Sequence, residues 1–217
     1  MKIFSEAITR TCLKSLQYLS RQEFIKDFYL AGGTALALQI GHRVSTDLDW
    51  FSESTTLIES ERENIRKSLE LSRKLETIME RDGSLYTRLY GVDVSFIHQH
   101  HPLIEETIDY QGVHLASPVD IGLMKLAAIN SRGTRRDFID LYSLKEIAPL
   151  NTLLDLAPKK YSDRPSFLAI SARALVYFND AEQQPMPKML VPINWEDVRA
   201  YCESAATVLT RRLSGLA

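Results

Sequence analysis

The sequence predicts an α+β fold in which a small mixed sheet flanked by helices is followed by a helical C-terminal lobe. The first half carries short apolar runs bounded by glycines, which are typical of strands and turns. Within it, residues 28–51 have the pattern of a strand, a glycine turn, a helix and a second strand. The second half has helical apolar spacing punctuated by prolines. The extended segment before Ser117 marks the boundary, so the predicted domains are 1–116 and 117–217.

Apolar spacing identifies the elements of the first half in order. Apolar positions at helical spacing predict an opening helix, and the charged stretch after residue 60 has the pattern of an exposed amphipathic helix. Runs rich in Val, Leu, Phe and Tyr predict strands, and Gly91 between two of them predicts a hairpin. The predicted helices cover residues 4–24, 34–40 and 60–80, the predicted strands cover 28–31, 46–51, 84–90 and 92–97, and an extended segment covers 108–116.

Helix-start patterns define the second half. Ser117 followed by Pro118 predicts a helix start, because serine caps helices and proline is favoured at their first position. Gly133 ends that helix, and Thr134 with Asp137 three residues later forms the cap of the next one. Three further helices are predicted at 151–156, 166–178 and 195–213.

Composition and charge set few limits on function. The chain has 217 residues, 45% of them hydrophobic, and a net charge of -2, so any nucleic-acid contact requires a local basic patch. Cys12 and Cys202 lack CxxC or metal-ligand spacing and are predicted to be reduced core thiols. No apolar run is long enough to span a membrane, and the first ten residues lack the apolar stretch of a secretion signal. We therefore expect a cytoplasmic protein with no membrane partner.

Asp47 and Asp49 are the strongest candidates for chemistry. In an extended strand alternate side chains share a face, so these carboxylates point one way while Leu48 and Trp50 face a core. An Asp-x-Asp pair is common in surface turns, but its apolar flanks here indicate an ordered strand. Adjacent carboxylates repel each other unless a cation or water screens them. We predict a divalent metal site at this pair.

Asp93 is a candidate third carboxylate. It lies in a strand in which apolar residues, ending with Phe96, alternate with polar ones. Its side chain is therefore on the strand face opposite the apolar side chains. An ordinary solvent-facing aspartate explains the same pattern equally well. The histidines within 98–101 do not predict zinc, because no matching Cys or acidic ligand lies at a recognisable spacing.

Lys125 lies in the helix that begins at Pro118. It is seven residues from Arg132, so both are predicted on one helical face beside an apolar stripe. The next helix carries Asp137 and Asp140. A capping role explains the first, and a pair with an arginine four residues earlier explains the second, so neither requires catalysis.

Two long motifs resemble one family. The first joins Gly32-Gly33 to the run HRVSTDLDWF (42–51), and the second is the run DIGLMKLAAINSRGTRRDFIDLYSL (120–144). Together they resemble the nucleotidyltransferase toxins of the AbiEii/AbiGii type, within the polymerase-beta-like superfamily, over about residues 28–145. The wider superfamily usually has Gly-Ser where this chain has Gly32-Gly33. The resemblance implies a polymerase-beta-like nucleotidyltransferase core whose nucleotide site is completed by the C-terminal lobe.

The resemblance also assigns roles to particular residues. Asp47, Asp49 and Asp93 would hold Mg2+ or Mn2+ on the triphosphate of a nucleoside triphosphate (NTP), in a two-metal arrangement. Lys125 would complete the catalytic set as a point charge on the phosphates. The Gly-Gly turn would let backbone N–H groups approach phosphate oxygens at a helix N-terminus. The residues implied in nucleotide binding are Gly32, Gly33, Thr34, Arg43, Ser45, Lys125, Arg136, Asp137 and Asp140, with Arg132 adding charge. The resemblance does not decide which of Asp137 and Asp140 faces the nucleotide.

The implied activity is transfer of a nucleoside monophosphate from an NTP to an acceptor hydroxyl, with release of pyrophosphate. Some members of the resembling family add nucleotides to the 3′ end of tRNA, and related enzymes modify protein side chains. We favour an RNA acceptor, because Arg132, Arg135 and Arg136 form a basic cluster. The resemblance further implies a toxin of a toxin–antitoxin or phage-defence system with a separate antitoxin protein. Two alternatives are a non-catalytic nucleotide-binding module on the same fold and a metal-dependent phosphohydrolase or nuclease.

Overall fold

The structure, a computed structural model, describes residues 2–215, which form two compact units. Unit 1 runs up to Pro102 and includes Glu106–Ser117. Unit 2 consists of Leu103–Glu105 and the chain from Pro118 onward. The boundary predicted between residues 116 and 117 lies one residue before the junction of Ser117 with Pro118.

Unit 1 contains a seven-stranded mixed sheet flanked by helices, which confirms the predicted fold class. The strands are β1 (Tyr29–Ala31), β2 (Leu48–Ser52), β3 (Leu75–Arg81), β4 (Ser84–Leu89), β5 (Val92–His98), β6 (Ile108–Tyr110) and β7 (Val113–Leu115). The helices are α1 (Arg10–Leu19), α2 (Gly32–Ile40) and α3 (Glu59–Glu70). The strand order is β3-β4-β5-β2-β1-β7-β6, in which β2 runs parallel to β5 and β1 runs parallel to β7.

The central strand β2 buries the side chains of Leu48 and Trp50. Both are fully buried. On the neighbouring strand β5, Val94 lies opposite Leu48 and Phe96 lies opposite Trp50. Phe28 packs edge-on against Phe96, with ring centroids 5.4 Å apart. This apolar packing leaves the alternate residues of β2 on the other face of the strand.

The prediction of a helix over residues 60–80 is wrong for the second half of that range. Helix α3 ends at Glu70, and residues 75–81 form the edge strand β3. Arg73 has a positive φ of 53°, which an α-helix does not accommodate. The strand was missed because it lacks alternating burial: Ile78 and Met79 are 50% and 47% exposed.

Two hairpins are closed by turns with the same backbone signature. The predicted hairpin of β4 and β5 is confirmed, and its turn residues Tyr90 and Gly91 have φ of 52° and 78°. The extended segment predicted over 108–116 is a second hairpin, β6–β7, whose turn residues Gln111 and Gly112 have φ of 53° and 78°. Two consecutive positive φ values match the right-handed twist of the flanking strands.

The opening helix is shorter than the predicted span of 4–24. It is divided into a 3-10 turn at Ser5–Ala7, the helix α1, and a second 3-10 segment at Glu23–Asp27. Thr9 starts α1, because its hydroxyl accepts a hydrogen bond from the backbone N–H of Cys12 at 3.1 Å.

Both cysteines are buried and free, as predicted. Burial raises the pKa of Cys12 to about 12, and the charge of Asp47 adds to this effect. Burial likewise raises the pKa of Cys202 to about 12, with a contribution from Glu203. Both side chains are therefore neutral thiols at physiological pH, which is the state of an unreactive core cysteine.

Unit 2 is helical in the part of the chain that the structure describes. Its helices are α4 (Pro118–Ser131), α5 (Arg135–Ser143), α6 (Leu150–Lys160), α7 (Phe167–Ala174), α8 (Asn179–Glu182) and α9 (Trp195–Leu213). The predicted helix 151–156 continues to Lys160, and the helix predicted over 166–178 ends at Ala174. Asn194 caps α9, because its side-chain oxygen accepts a hydrogen bond from Glu196 N–H at 3.1 Å. Among residues 2–215, no helix is both long and apolar enough to cross a lipid bilayer.

A buried ion pair joins the short segment Leu103–Glu105 to the rest of unit 2. Asp120 and Lys160 are fully buried, with Nζ of Lys160 2.7 Å from Oδ1 of Asp120. The same carboxylate accepts hydrogen bonds from the backbone N–H groups of Ile104 and Glu105 at 2.9 and 3.0 Å. These backbone bonds explain why three residues between β5 and β6 belong to the helical unit.

Candidate active site

The Gly-Gly turn lies where β1 ends and α2 begins. Gly32 has a φ of +65°, a conformation that residues with a side chain rarely adopt. A Cβ at Gly32 would lie 2.9 Å from Oδ2 of Asp49, and a Cβ at Gly33 would overlap the guanidinium of Arg43. The absence of side chains therefore allows a carboxylate and a buried arginine to approach the start of α2 closely.

Asp49 lies in β2, and Asp47 immediately precedes that strand, which begins at Leu48 rather than at the predicted residue 46. Leu48 is fully buried between them, whereas both aspartates are half-buried. Asp49 lies opposite Ala31 on β1 and opposite Ser95 on β5. The sheet thus holds Asp49 from both sides, directly beside the glycine turn.

Three hydroxyl groups hold the two aspartates in place. Ser45 donates a hydrogen bond to Oδ1 of Asp47 at 3.2 Å, and Ser95 donates one to Oδ1 of Asp49 at 2.5 Å. Thr34 donates to the backbone carbonyl of Asp47. In the structure the Thr34 and Ser45 hydroxyls therefore orient the aspartates, and their predicted contact with phosphate stays a prediction.

Ser95 was missed by the sequence analysis as a site residue. It alternates with the apolar residues of β5 on the same face as Asp93, and that alternation was visible in the sequence. What the sequence did not contain is the register of β5 on β2, which brings Ser95 rather than Asp93 opposite Asp49.

The structure does not bring Asp93 into a three-carboxylate cluster. Asp93 is 63% exposed and forms an ion pair with Arg88, its partner across the β4–β5 hairpin, at 2.8 Å. Within residues 2–215, no three His, Cys, Asp or Glu side chains are grouped so that they could hold a metal ion. A role of Asp93 in metal binding together with Asp47 and Asp49 therefore stays a prediction. In the register of β5 on β2, Val94 lies opposite Leu48 and Ser95 lies opposite Asp49.

In unit 2, Lys125 lies between the two aspartates of α5. Its ammonium is 2.9 Å from Oδ1 of Asp137 and 2.6 Å from Oδ2 of Asp140. Lys125 is 7% exposed, and both aspartates are buried. The sequence interpretation that Asp140 pairs with Arg136 overlooked this contact, which joins α4 to α5. Both aspartates contact the lysine in the same way, so the structure does not single out one of them.

Asp137 also contacts residues other than Lys125. Besides Lys125, it accepts hydrogen bonds from the Thr134 hydroxyl at 2.6 Å and from the Thr134 N–H at 3.3 Å, which confirms the predicted cap. Arg132 approaches it at 3.4 Å. Burial by itself raises the pKa of Asp137, but Lys125, Thr134 and Arg132 together outweigh burial and lower that pKa below its ordinary value.

The predicted basic cluster is only partly available to a ligand. Arg132 and Arg136 are exposed. Arg135 donates hydrogen bonds to the carbonyl oxygens of Ala181 and Glu182 at 2.8 and 3.2 Å, and its guanidinium lies 4.8 Å from the ring centroid of Trp195. Arg135 therefore contributes to the packing of unit 2, and its predicted place in an RNA-binding cluster stays a prediction.

A mixed sheet that presents an Asp-x-Asp pair beside a Gly-Gly turn has the architecture of a nucleotidyltransferase. The chain matches the family model of the nucleotidyl transferase AbiEii toxin, Type IV TA system, over residues 14–208, and it belongs to that family. This match confirms the family resemblance of the two sequence motifs.

A sequence relative and two solved structures are similar to this chain. An uncharacterized protein of Aquifex aeolicus (strain VF5), aq_aa25, is 33% identical over 191 residues, which is 86% of this chain and 86% of that protein. JHP933 from Helicobacter pylori is 16% identical with a TM-score of 0.52, over 98% of this chain and 95% of that chain. MenT4, a nucleotidyltransferase toxin from Mycobacterium tuberculosis H37Rv, is 17% identical with a TM-score of 0.57, over 93% of this chain and 86% of that chain. The two structures share the fold of this protein.

Gly33→Ala is expected to destabilise the protein by about 1–2 kcal/mol, because overpacking typically costs 1–3 kcal/mol. The new methyl group would overlap the guanidinium of Arg43, which is 3% exposed and has little room to move. This cost exceeds the gain of up to about 1 kcal/mol that alanine brings to a helix. Urea unfolding measures the change. Adding Arg43→Met removes the overlapping group, so Gly33→Ala should cost less in that background; equal costs in both backgrounds would contradict the steric explanation.

Proposed function

We propose that this protein transfers a nucleoside monophosphate from an NTP to a hydroxyl group of an RNA acceptor, with a divalent cation held by Asp47 and Asp49. The observation that carries the proposal is the position of Asp49 beside Gly32, where a Cβ would lie 2.9 Å from the carboxylate. A backbone this close to a carboxylate allows a cation and a phosphate to bind at one place. The helix that begins at Gly32 adds the positive end of its dipole.

The donor set at β2 fits Mg2+ or Mn2+. Both cations prefer oxygen ligands, and Mg2+ is commonly held by one or two carboxylates together with substrate phosphates and water. Asp47 and Asp49 supply two carboxylates, so phosphate oxygens of the NTP would supply further ligands. Bound there, the cation would neutralise charge on the triphosphate and polarise the phosphorus that is attacked.

The residues of this chain act mainly by positioning. Ser45 and Ser95 each donate to one carboxylate oxygen and so fix the orientation of Asp47 and Asp49. In the reaction, the acceptor oxygen forms a bond to the α-phosphorus and the bond from that phosphorus to the bridging oxygen breaks. Pyrophosphate leaves, and the proton of the hydroxyl passes to water. Such catalysis depends on alignment and on fixed charges rather than on covalent chemistry of the protein.

Three further assignments stay proposals. Lys125 is proposed to contact nucleotide phosphates on the basis of its motif. RNA is favoured over protein as the acceptor because Arg132 and Arg136 are exposed. The Type IV TA description of the family supports a separate antitoxin partner, and the proposed role in phage defence comes from the sequence resemblance alone.

The test is incubation of the purified protein with Mg2+ or Mn2+, each of the four α-labelled NTPs in turn, and total tRNA. We expect label in RNA with release of pyrophosphate, and no transfer in the presence of a chelator. Label on protein instead would contradict the RNA acceptor. Free nucleotide without a labelled acceptor would indicate a phosphohydrolase, and NTP binding without any product would indicate a non-catalytic module.

A further inference from the structure

A basic groove lies in unit 2 along the C-terminal end of α4 and the length of α7. Two adjoining cavities of about 290 and 380 Å³ form it and share Asn130, Ser131 and Ile170. We name it the α4/α7 groove. The residues that define it are Asn130, Arg132, Arg164, Ile170, Arg173 and Tyr177.

Positive charge dominates this groove. Arg132, Arg164 and Arg173 are all exposed. Within the described part of the chain, Asp180 is the one acidic residue that lines either cavity. Because the whole chain carries a net charge of -2, this local excess is the kind of patch that a polyanion requires.

The groove also offers apolar surface to a flat ring. Tyr177 is 54% exposed and Ile170 is 48% exposed. Each cavity is close to the lower end of the size range of small-molecule pockets, which is enough for an unstacked base. An exposed aromatic ring among arginines is the arrangement by which proteins bind single-stranded nucleic acid, since bases stack on the ring and arginines contact phosphates.

Arg132 connects the groove to the buried charge cluster of α4 and α5. Its guanidinium lies 3.4 Å from Oδ2 of Asp137, and Asp137 contacts Lys125 at 2.9 Å. A strand that follows the arginines would therefore have one end next to the lysine that is proposed to contact nucleotide phosphates.

We propose that the α4/α7 groove binds a single-stranded segment of the acceptor RNA. Arg164 and Arg173 contact successive phosphates, and a base stacks on Tyr177. An acidic protein surface would also be attracted to the arginines, but it would not need base-sized cavities beside an exposed ring. The inference rests on the proposed function in that it assumes an RNA acceptor.

The test measures RNA binding without turnover. A fluorescent single-stranded RNA of about twelve nucleotides is titrated with Asp49→Asn protein in the absence of NTP, at several salt concentrations. Arg164→Ala with Arg173→Ala should weaken binding about tenfold at low salt and reduce the slope of log K against log salt by about 1.4, since each lost phosphate contact removes about 0.7. Tyr177→Ala should weaken binding about tenfold, whereas Tyr177→Phe retains the stacking ring and should bind nearly normally.

The matched control is the pair Arg21→Ala and Arg211→Ala, which removes the same charge from exposed arginines outside the groove. It should leave the affinity nearly unchanged, and all variants should keep the melting temperature of the parent. Any of three outcomes would overturn the inference. The groove variants could keep the affinity and salt slope of the parent, or Tyr177→Phe could lose as much affinity as Tyr177→Ala. The third is that the parent does not bind RNA. If the groove variants keep RNA binding but lose binding to an acidic protein, the α4/α7 groove is instead a protein-docking surface.

The two proposals can fail separately. If wild-type protein labels RNA and the groove variants bind and use RNA as well as it does, the proposed function stands and the groove inference fails. If RNA binding depends on the groove but no nucleotide is ever transferred, the groove inference stands and the proposed function fails.

Discussion

Asp49→Asn is expected to lower the rate of nucleotidyl transfer by about a thousandfold, which corresponds to about 4 kcal/mol of lost transition-state stabilisation. The asparagine oxygen still accepts the hydrogen bond that Ser95 donates at 2.5 Å, so the shape of the site is kept. What disappears is the negative charge that a divalent cation requires. The measurement is incorporation of labelled nucleotide into RNA at saturating Mg2+.

Stability distinguishes lost function from lost fold in this variant. Without metal, Asp49→Asn removes the repulsion between two carboxylates on one face of β2, so its melting temperature should equal or exceed that of the wild type. Adding Mg2+ should raise the melting temperature of the wild type more than that of the variant, because only the native form of the wild type binds the cation well. Asp109→Asn removes an exposed strand carboxylate and is the matched control. Wild-type transfer by Asp49→Asn would show that Asp49 is not a metal ligand.

Lys125→Met is expected to lower the free energy of unfolding by about 3–5 kcal/mol at neutral pH, more than the other substitutions predicted here. Removing one partner of a buried ion pair leaves its counter-charge uncompensated. Here two carboxylates lose the same ammonium, since Lys125 lies 2.9 Å from Asp137 and 2.6 Å from Asp140. Methionine keeps most of the side-chain volume, so the loss reports charge rather than packing. Urea unfolding measures it.

The pH dependence of this loss has a definite sign. The folded-state pKa of Asp137 is lowered from 3.8, so the stability that its charge contributes is present above that value and disappears as the pH falls through the lower folded value. The gap between wild type and Lys125→Met should therefore narrow in acid. Asp140→Asn added to Lys125→Met removes one uncompensated charge and should recover part of the stability. Lys159→Met, at an exposed position on α6, should change stability little. A loss that is constant with pH would contradict the charge explanation.

The parts of the site that were predicted correctly depend on neighbouring residues. The cap at Thr134 follows from a pattern three residues long. The Gly-Gly turn at the end of β1 is equally local. Such features depend on backbone geometry within one turn or a few strand positions, so the sequence contains nearly all the information they need.

The parts that were missed depend on exposure or register. Strand β3 is an exposed edge strand, so burial does not impose an alternating pattern on its sequence. Arg135 was interpreted as part of a basic cluster, but it contacts Ala181, Glu182 and Trp195, which lie far along the chain. The ion pair of Asp93 with Arg88 follows from the alignment of β4 and β5, which places these two residues opposite each other.

The sequence by itself determined the fold class and the family, because periodicity and motif spacing act over short distances. Only the tertiary structure decided what each charged side chain contacts. Ser95 reaches Asp49 across 46 residues, and Lys125 reaches Asp137 across 12. Strand register and helix packing create these contacts, and both are set by how the whole core fills space rather than by any local pattern.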